Sequence, residues 1–122
     1  MKITSFNPII VTKDRASAVE LFEQLGFEQR HHSVITDSGS SNTDMVNADG
    51  YRVDIAQNDR IPGDMTFIRM NVDDFDEAYQ ILLKYGFKNS RGDGTLNENS
   101  AKAATMFSPS GFVISIVQHI KE

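Results

Sequence analysis

The sequence predicts an α+β protein made of two tandem copies of one strand-helix-three-strand module, and three pairs of landmarks carry that expectation. Leu25-Gly26-Phe27-Glu28 returns as Tyr85-Gly86-Phe87-Lys88, sixty residues later. Asp49-Gly50-Tyr51-Arg52-Val53-Asp54-Ile55-Ala56-Gln57 returns as Ser110-Gly111-Phe112-Val113-Ile114-Ser115-Ile116-Val117-Gln118, sixty-one later. Val11-Thr12-Lys13-Asp14 likewise matches Asn71-Val72-Asp73-Asp74. A nearly constant offset at three separated places marks a duplicated supersecondary unit. The 122 residues form one domain, with module 1 at about 1–58 and module 2 at about 64–122.

Each element has a local reason. Ile3 to Val11 is apolar and β-branched, which suits a strand. Asp14 stands at a helix N-cap, and Ala18, Val19, Phe22 and Leu25 follow with helical spacing up to about Leu25. Gly26 ends that helix as the residue that takes a left-handed turn. Phe27 to Ile35 is the second strand, Asp37 to Asn42 a turn cluster, Thr43 to Asn47 the third strand, and Tyr51 to Gln57 the fourth. Ala48-Asp49-Gly50 is the tight turn between the last two. Asn58 to Gly63 links the copies. Met65 to Val72 then repeats the first strand, and Asp74 caps a helix carrying Phe75, Ala78, Tyr79 and Leu82 that ends at Gly86. Asn89 to Ser100 is a long polar loop, followed by strands at Ala103 to Ser108 and Phe112 to Ile120.

Composition narrows the function classes. Hydrophobic content of 39% and charged content of 24% are those of a soluble globular domain. A net charge of −5 argues against nucleic acid and against an anionic membrane surface as partners. The absence of cysteine excludes disulfides, thiolate metal sites and cysteine nucleophiles. The N-terminus has no continuous apolar stretch of a signal peptide, and no apolar run reaches membrane-spanning length, so the expected location is cytoplasmic.

The alternation of the strands separates two faces. Ile68, Met70 and Val72 share one face of their strand, Val53 and Ile55 of theirs, and Ile114 and Ile116 of theirs. These aliphatic faces are expected to pack on the helix of their own module. The opposite faces hold Phe67, Arg69 and Asn71; Arg52, Asp54 and Ala56; and Val113, Ser115 and Val117. That mixture of polar and apolar residues suits a half-lined cavity better than a solvated surface.

The duplicated module, its helices ending in Gly-Phe and its last strands following a glycine turn, resembles the vicinal oxygen chelate superfamily of glyoxalases, bleomycin-resistance proteins and extradiol dioxygenases. The resemblance covers nearly the whole chain. It implies a U-shaped, partly closed mixed sheet with helices on the outer face, a small-molecule ligand in the cavity, and a homodimer. It also implies divalent-metal ligands on the first strand of each module and four residues past the glycine of the last strand. Those positions hold Asn7, Phe67, Asp54 and Ser115. Only Asp54 is a good ligand, whereas a catalytic metal wants three strong ones, so no metal and no cofactor are expected.

The remaining signals are weaker. Adjacent residues His31 and His32 point to opposite faces of a regular strand and do not chelate one ion together; His119 reads as an ordinary strand-end residue. Arg52, Asp54 and Arg69 share the cavity face. Arg69 and Asp54 either form an internal ion pair or leave Arg69 to receive a carboxylate or phosphate. Arg91-Gly92-Asp93-Gly94 lacks the pattern of a phosphate loop, no serine sits in a nucleophile elbow, and the acidic run at Asp73 to Glu77 has no calcium-loop spacing. The leading expectation is a metal-free protein that binds, and in the manner of bleomycin-resistance proteins sequesters, a small organic molecule. Asn7, Arg52, Asp54, Phe67, Arg69 and Ser115 would contact it. The alternatives are a metal-dependent lyase, isomerase or dioxygenase with a relocated site around Asp54 and a histidine, and a structural or regulatory dimer with a vestigial cavity.

Overall fold

A computed structural model describes residues 1–35, 40–90, 96–98 and 101–119. The elements run β1 (Ile3–Thr12), α1 (Arg15–Gln24), β2 (Glu28–Ile35), β3 (Ser40–Val46), β4 (Arg52–Gln57), β5 (Met65–Val72), α2 (Phe75–Lys84), β6 (Lys88–Asn89), β7 (Leu96–Glu98), β8 (Ala101–Phe107) and β9 (Val113–His119). The chain clusters into two compact units, Asn7–Thr66 and Met1–Phe6 with Phe67–Glu122. In the first, the strand order is β2-β3-β4-β1, with β4 parallel to β1 and the other pairs antiparallel. In the second, β5 runs parallel to β9, β9 antiparallel to β8, and both β6 and β7 pair with β8. The α+β, duplicated β-α-β-β-β architecture is therefore present in both copies, each with one helix and a mixed, open sheet.

Both helices begin at the expected aspartate. Asp14 Oδ1 accepts from the Ser17 amide at 3.2 Å, and Asp74 Oδ1 accepts from the Glu77 amide at 3.1 Å, each satisfying an N–H that has no partner within the helix. The Ser17 hydroxyl adds a 2.7 Å bond to Asp14, and this bond, with the amide, holds the Asp14 carboxyl below its ordinary range. Among the described residues, the ones with positive φ are Gly26, Gly50, Gly86 and Gly111, at +102°, +87°, +89° and +110°. These are the four glycines that mark the repeat, so the landmarks are backbone requirements at two helix ends and two strand turns.

A glutamine at the end of each last strand ties down the helix start. Gln57 Oε1 accepts from the Arg15 amide at 2.9 Å and its Nε2 donates to the Lys13 carbonyl at 2.5 Å. Gln118 does the same for Phe75 and Asp73, at 2.8 and 2.9 Å. The turns before these strands are matched too. Asn47 Oδ1 accepts from the Asp49 and Tyr51 amides, and Ser108 Oγ accepts from Gly111 and Phe112.

The aliphatic faces pack as expected. Val19 of α1 joins Met45, Val53 and Ile55 in one core, with Ile10, Ala18, Phe22 and Phe27 around it. Phe75, Ala78 and Leu82 of α2 join Val72, Phe87, Ala104, Met106 and Ile116, with Met70, Tyr79 and Ile114 around them. Two details differ from the sequence expectation. Ser40, Ser41 and Asn42, read as part of a turn, belong to β3, because the ladder to β4 pairs Ser41 with Gln57 and Asn42 with Ala56. The segment read as one polar loop from Asn89 to Ser100 begins on the last residue of the short strand β6 and contains the short strand β7, both held by β8. The Arg91 to Gly94 segment lies outside the described residues.

Candidate functional site

Each sheet has a second face, turned away from its helix, and the register fixes what stands there. In the first unit Ile9 pairs with Asp54, and Asp54 pairs with Asp44, so these three residues form one row across β1, β4 and β3. The next row holds Val11, Ala56 and Asn42. Asn7 lies on the same face of β1, two residues from Ile9, and Arg52 on the same face of β4. Asn7 and Asp54 are only 6% and 5% exposed although both are polar. Asn7 Nδ2 donates to the Pro8 carbonyl at 3.0 Å, and Asp54 is also partnered.

Asp44 is the residue that sequence reasoning missed. Two carboxylates directly opposite each other on antiparallel strands repel, so a pairing of this kind needs compensating donors. Asn42 supplies one, its Nδ2 donating to Asp44 Oδ1 at 3.0 Å. The alternation along β3 would have put Asp44 on the face of Asp54 at once, had that strand been examined together with its partner.

In the second unit the corresponding face carries Phe67, Arg69 and Asn71 on β5, and Val113, Ser115 and Val117 on β9. Arg69 pairs with Ser115 and Ser115 with Thr105, again a row across three strands. Phe67, Arg69 and Ser115 are half-buried, and Arg69 is partnered. The six expected contact residues thus divide evenly, with Asn7, Arg52 and Asp54 in one unit and Phe67, Arg69 and Ser115 in the other. His31 faces Asp44 in the backbone register of β2 and β3, and His119 is exposed at the end of β9.

Among the described residues, two buried acceptors have no hydrogen-bond partner: Asn42 Oδ1 on the polar face of the first unit and Asn71 Oδ1 on that of the second. Leaving such an acceptor unmatched costs about 1–3 kcal/mol. A pocket of about 470 Å³ opens in the first unit where β2, the β3–β4 turn and the start of β4 meet, lined by Glu28, Arg30, Val46, Asn47, Gly50 and Arg52. Arg52 is exposed and faces this pocket.

The metal-ligand positions implied by the fold do not suit a transition metal. They hold an amide, one carboxylate, a phenyl ring and a hydroxyl, and among the described residues no group of three or more histidines and acids is placed to hold a metal ion. Among the described residues no helix is long and apolar enough to cross a membrane.

Comparison with solved structures gives the same fold several times. Methylmalonyl-CoA epimerase from Mycobacterium tuberculosis is similar at a TM-score of 0.73 and 15% identity, over 98% of this chain and 90% of that one. A variant of the Streptomyces coelicolor methylmalonyl-CoA epimerase, in complex with 2-nitronate-propionyl-CoA, is similar at 0.72 and 16%, over 98% and 100%. A hypothetical protein from Bacillus halodurans is similar at 0.73 and 12%, over 99% and 96%. At these identities the likeness is one of fold. No curated protein sequence matches the chain. The family model for the glyoxalase/bleomycin resistance protein/dioxygenase superfamily matches residues 3–116. With the duplicated module, the paired glycine turns and the helix-backed sheets, that match places this chain in the glyoxalase/bleomycin resistance protein/dioxygenase superfamily.

Proposed function

We propose that this protein binds a small organic molecule on its polar sheet faces, without a divalent metal. The carrying observation is the pair of buried, unmatched acceptors, Asn42 Oδ1 and Asn71 Oδ1, one on each polar face. Folding alone gives no reason to leave them so, whereas a hydroxyl or amide donor of a bound ligand would satisfy either one on its own face. Taken unit by unit, Asn7, Arg52 and Asp54 are the candidate contacts on the polar face of the first, and Phe67, Arg69 and Ser115 are those on the polar face of the second. That a protein of this fold, the Streptomyces coelicolor methylmalonyl-CoA epimerase variant, is seen with 2-nitronate-propionyl-CoA supports an organic ligand as the class. A homodimer, as the family resemblance implies, is the assembly of this reading, and a monomeric mass in solution at micromolar concentration would overturn that part.

One observation favours a second reading, a metal-dependent lyase, isomerase or dioxygenase with a relocated site. The register places His31, Asp44 and Asp54 in one row across β2, β3 and β4. The two readings part in a single experiment. Chelator-treated protein is unfolded by heat alone, with Mn²⁺, Ni²⁺ or Zn²⁺, and with a panel of small organic acids, alcohols and amides. Anything that binds the native state raises the midpoint. The leading reading expects a rise with an organic compound and none with stoichiometric metal. A rise with metal that is lost in Asp54→Asn moves the assignment to the metal-dependent reading.

A further inference from the structure

The strand β2 carries a defect that has a use. Its register with β3 pairs Gln29 with Met45 but His31 with Asp44, so Arg30 is an extra residue in a β-bulge. A regular continuation would set Arg30 directly opposite Asp44, a favourable cross-strand ion pair. The bulge forgoes that pairing. Arg30 instead lines the pocket of about 470 Å³ together with Arg52, and neither has an ion-pair or hydrogen-bond partner among the described residues. Bulges re-aim side chains and are concentrated beside functional sites.

The rest of the pocket fits this aim. Arg52 and Glu28 flank Val46, through the pairs Val46–Arg52 and Glu28–Val46, so they stand two strand spacings apart, about 10 Å at the backbone. Two arginines and one glutamate line a concavity of a size that holds a small organic molecule. The chain as a whole carries −5, so a locally cationic recess is not a by-product of its composition.

We propose that Arg30 and Arg52 form an anion subsite that holds a carboxylate or phosphate group of a small organic ligand, with Glu28 accepting from a hydroxyl or amine elsewhere on the same molecule. The proposal rests on the small-molecule reading above and names the chemistry of one end of the ligand. Arginine suits that end because its planar fork gives two parallel hydrogen bonds to either oxyanion.

The test is an amide NMR titration of the full chain with inorganic phosphate and, separately, with succinate. Either anion is expected to shift the amides of residues 26–30 and 46–52. Arg30→Gln and Arg52→Gln should each weaken binding tenfold or more, and the double variant should abolish it. Glu28→Gln should tighten inorganic phosphate, because it removes the opposing charge. Lys88→Gln, which changes the net charge in the other unit as each arginine variant does in this one, should leave binding unaltered. The anion that binds more tightly identifies the group. Unresponsive amides around the pocket, or a double variant that binds as well as the parent, would overturn the subsite. An organic compound that shifts the amides of Asn7 and Asp54 equally in the parent and the double variant would overturn the subsite and leave the small-molecule reading standing. Compounds that shift neither set overturn both.

Discussion

The two modules agree on one face of their sheets and differ on the other. Toward the helices, Met45 and Ile55 of the first copy stand where Met106 and Ile116 stand in the second, and all four are essentially inaccessible. Phe27 and Phe87, Ala18 and Ala78 also correspond. On the opposite face the row Ile9–Asp54–Asp44 corresponds to Arg69–Ser115–Thr105. Two carboxylates in one copy become two hydroxyls in the other, and an isoleucine becomes an arginine. Close packing limits the volume and shape allowed on the helix face. The polar faces also bury Asn7, Val11, Asp54, Val113 and Val117, but their chemistry is not held in common between the copies. This difference is what supports looking for the proposed ligand on the polar faces rather than against the helices.

If the helix faces are equivalent, their core residues should be worth the same. Ile55→Ala and Ile116→Ala should each destabilise by about 2–5 kcal/mol, the usual cost of emptying a buried aliphatic site. Urea unfolding of both variants reads it. A cost near zero for one of them would show that its module contributes little to the cooperative fold. The glycine turns provide a sharper contrast. Gly26→Ala and Gly86→Ala both force an L-residue into the left-handed region, at about 1–2 kcal/mol. A Cβ at Gly26 meets nothing within 4 Å, whereas at Gly86 it comes within 2.9 Å of Pro109 Cγ. Gly86→Ala should therefore be the costlier by about 1 kcal/mol or more. Equal costs would mean that the Pro109 ring moves aside freely.

Much of this fold was legible because the repeat exposed the residues that the backbone requires. Four glycines, two capping aspartates and two strand-end glutamines recur at matched positions, and each does the same thing twice. The start of β3 was hidden because Ser40, Ser41 and Asn42 are turn formers by local preference, and only pairing with β4 makes them strand. The strands β6 and β7 were hidden for a similar reason, being short and polar and held by β8 alone. Of the candidate site, Asn7, Arg52 and Asp54 were named from position and alternation, and the structure places them on one face of the first unit. Asp44 and Arg30 were not, since one depends on a neighbouring strand and the other on a bulge, and register is not written in a single strand.

The helix anchors separate the copies further. From α2, Phe75, Ala78 and Leu82 are buried; from α1, only Val19 is. The first helix leans more on polar ties, with Arg15 Nη1 donating to the buried Thr43 hydroxyl at 2.9 Å where the second copy has Ala104. Gln57→Ala and Gln118→Ala each remove two hydrogen bonds to a helix start, worth roughly 1–2 kcal/mol together. The local effect should be larger at α1, which has less apolar burial to hold it. Hydrogen exchange at the first turn should quicken more in Gln57→Ala than in Gln118→Ala, and the reverse order would break the contrast.

The smallest expected effect concerns the caps. Asp14 and Asp74 both accept from an amide three residues on, but only Asp14 also receives a side-chain hydroxyl, from Ser17; the second copy has Glu77 there. That hydroxyl bond is the main cause of the lowered Asp14 carboxyl, with the Ser17 amide second. A carboxyl lowered by folding stabilises the native state above its ordinary value near 3.8, and the contribution fades as pH falls through the lower folded value. Because Asp14 is fully exposed, the readout is its own titration rather than global stability. Carboxyl-carbon NMR should place its midpoint below 3.8, and Ser17→Ala should move it back toward that value while the amide bond keeps part of the displacement. A midpoint unmoved by Ser17→Ala would assign the whole effect to the backbone amide and make the two caps alike.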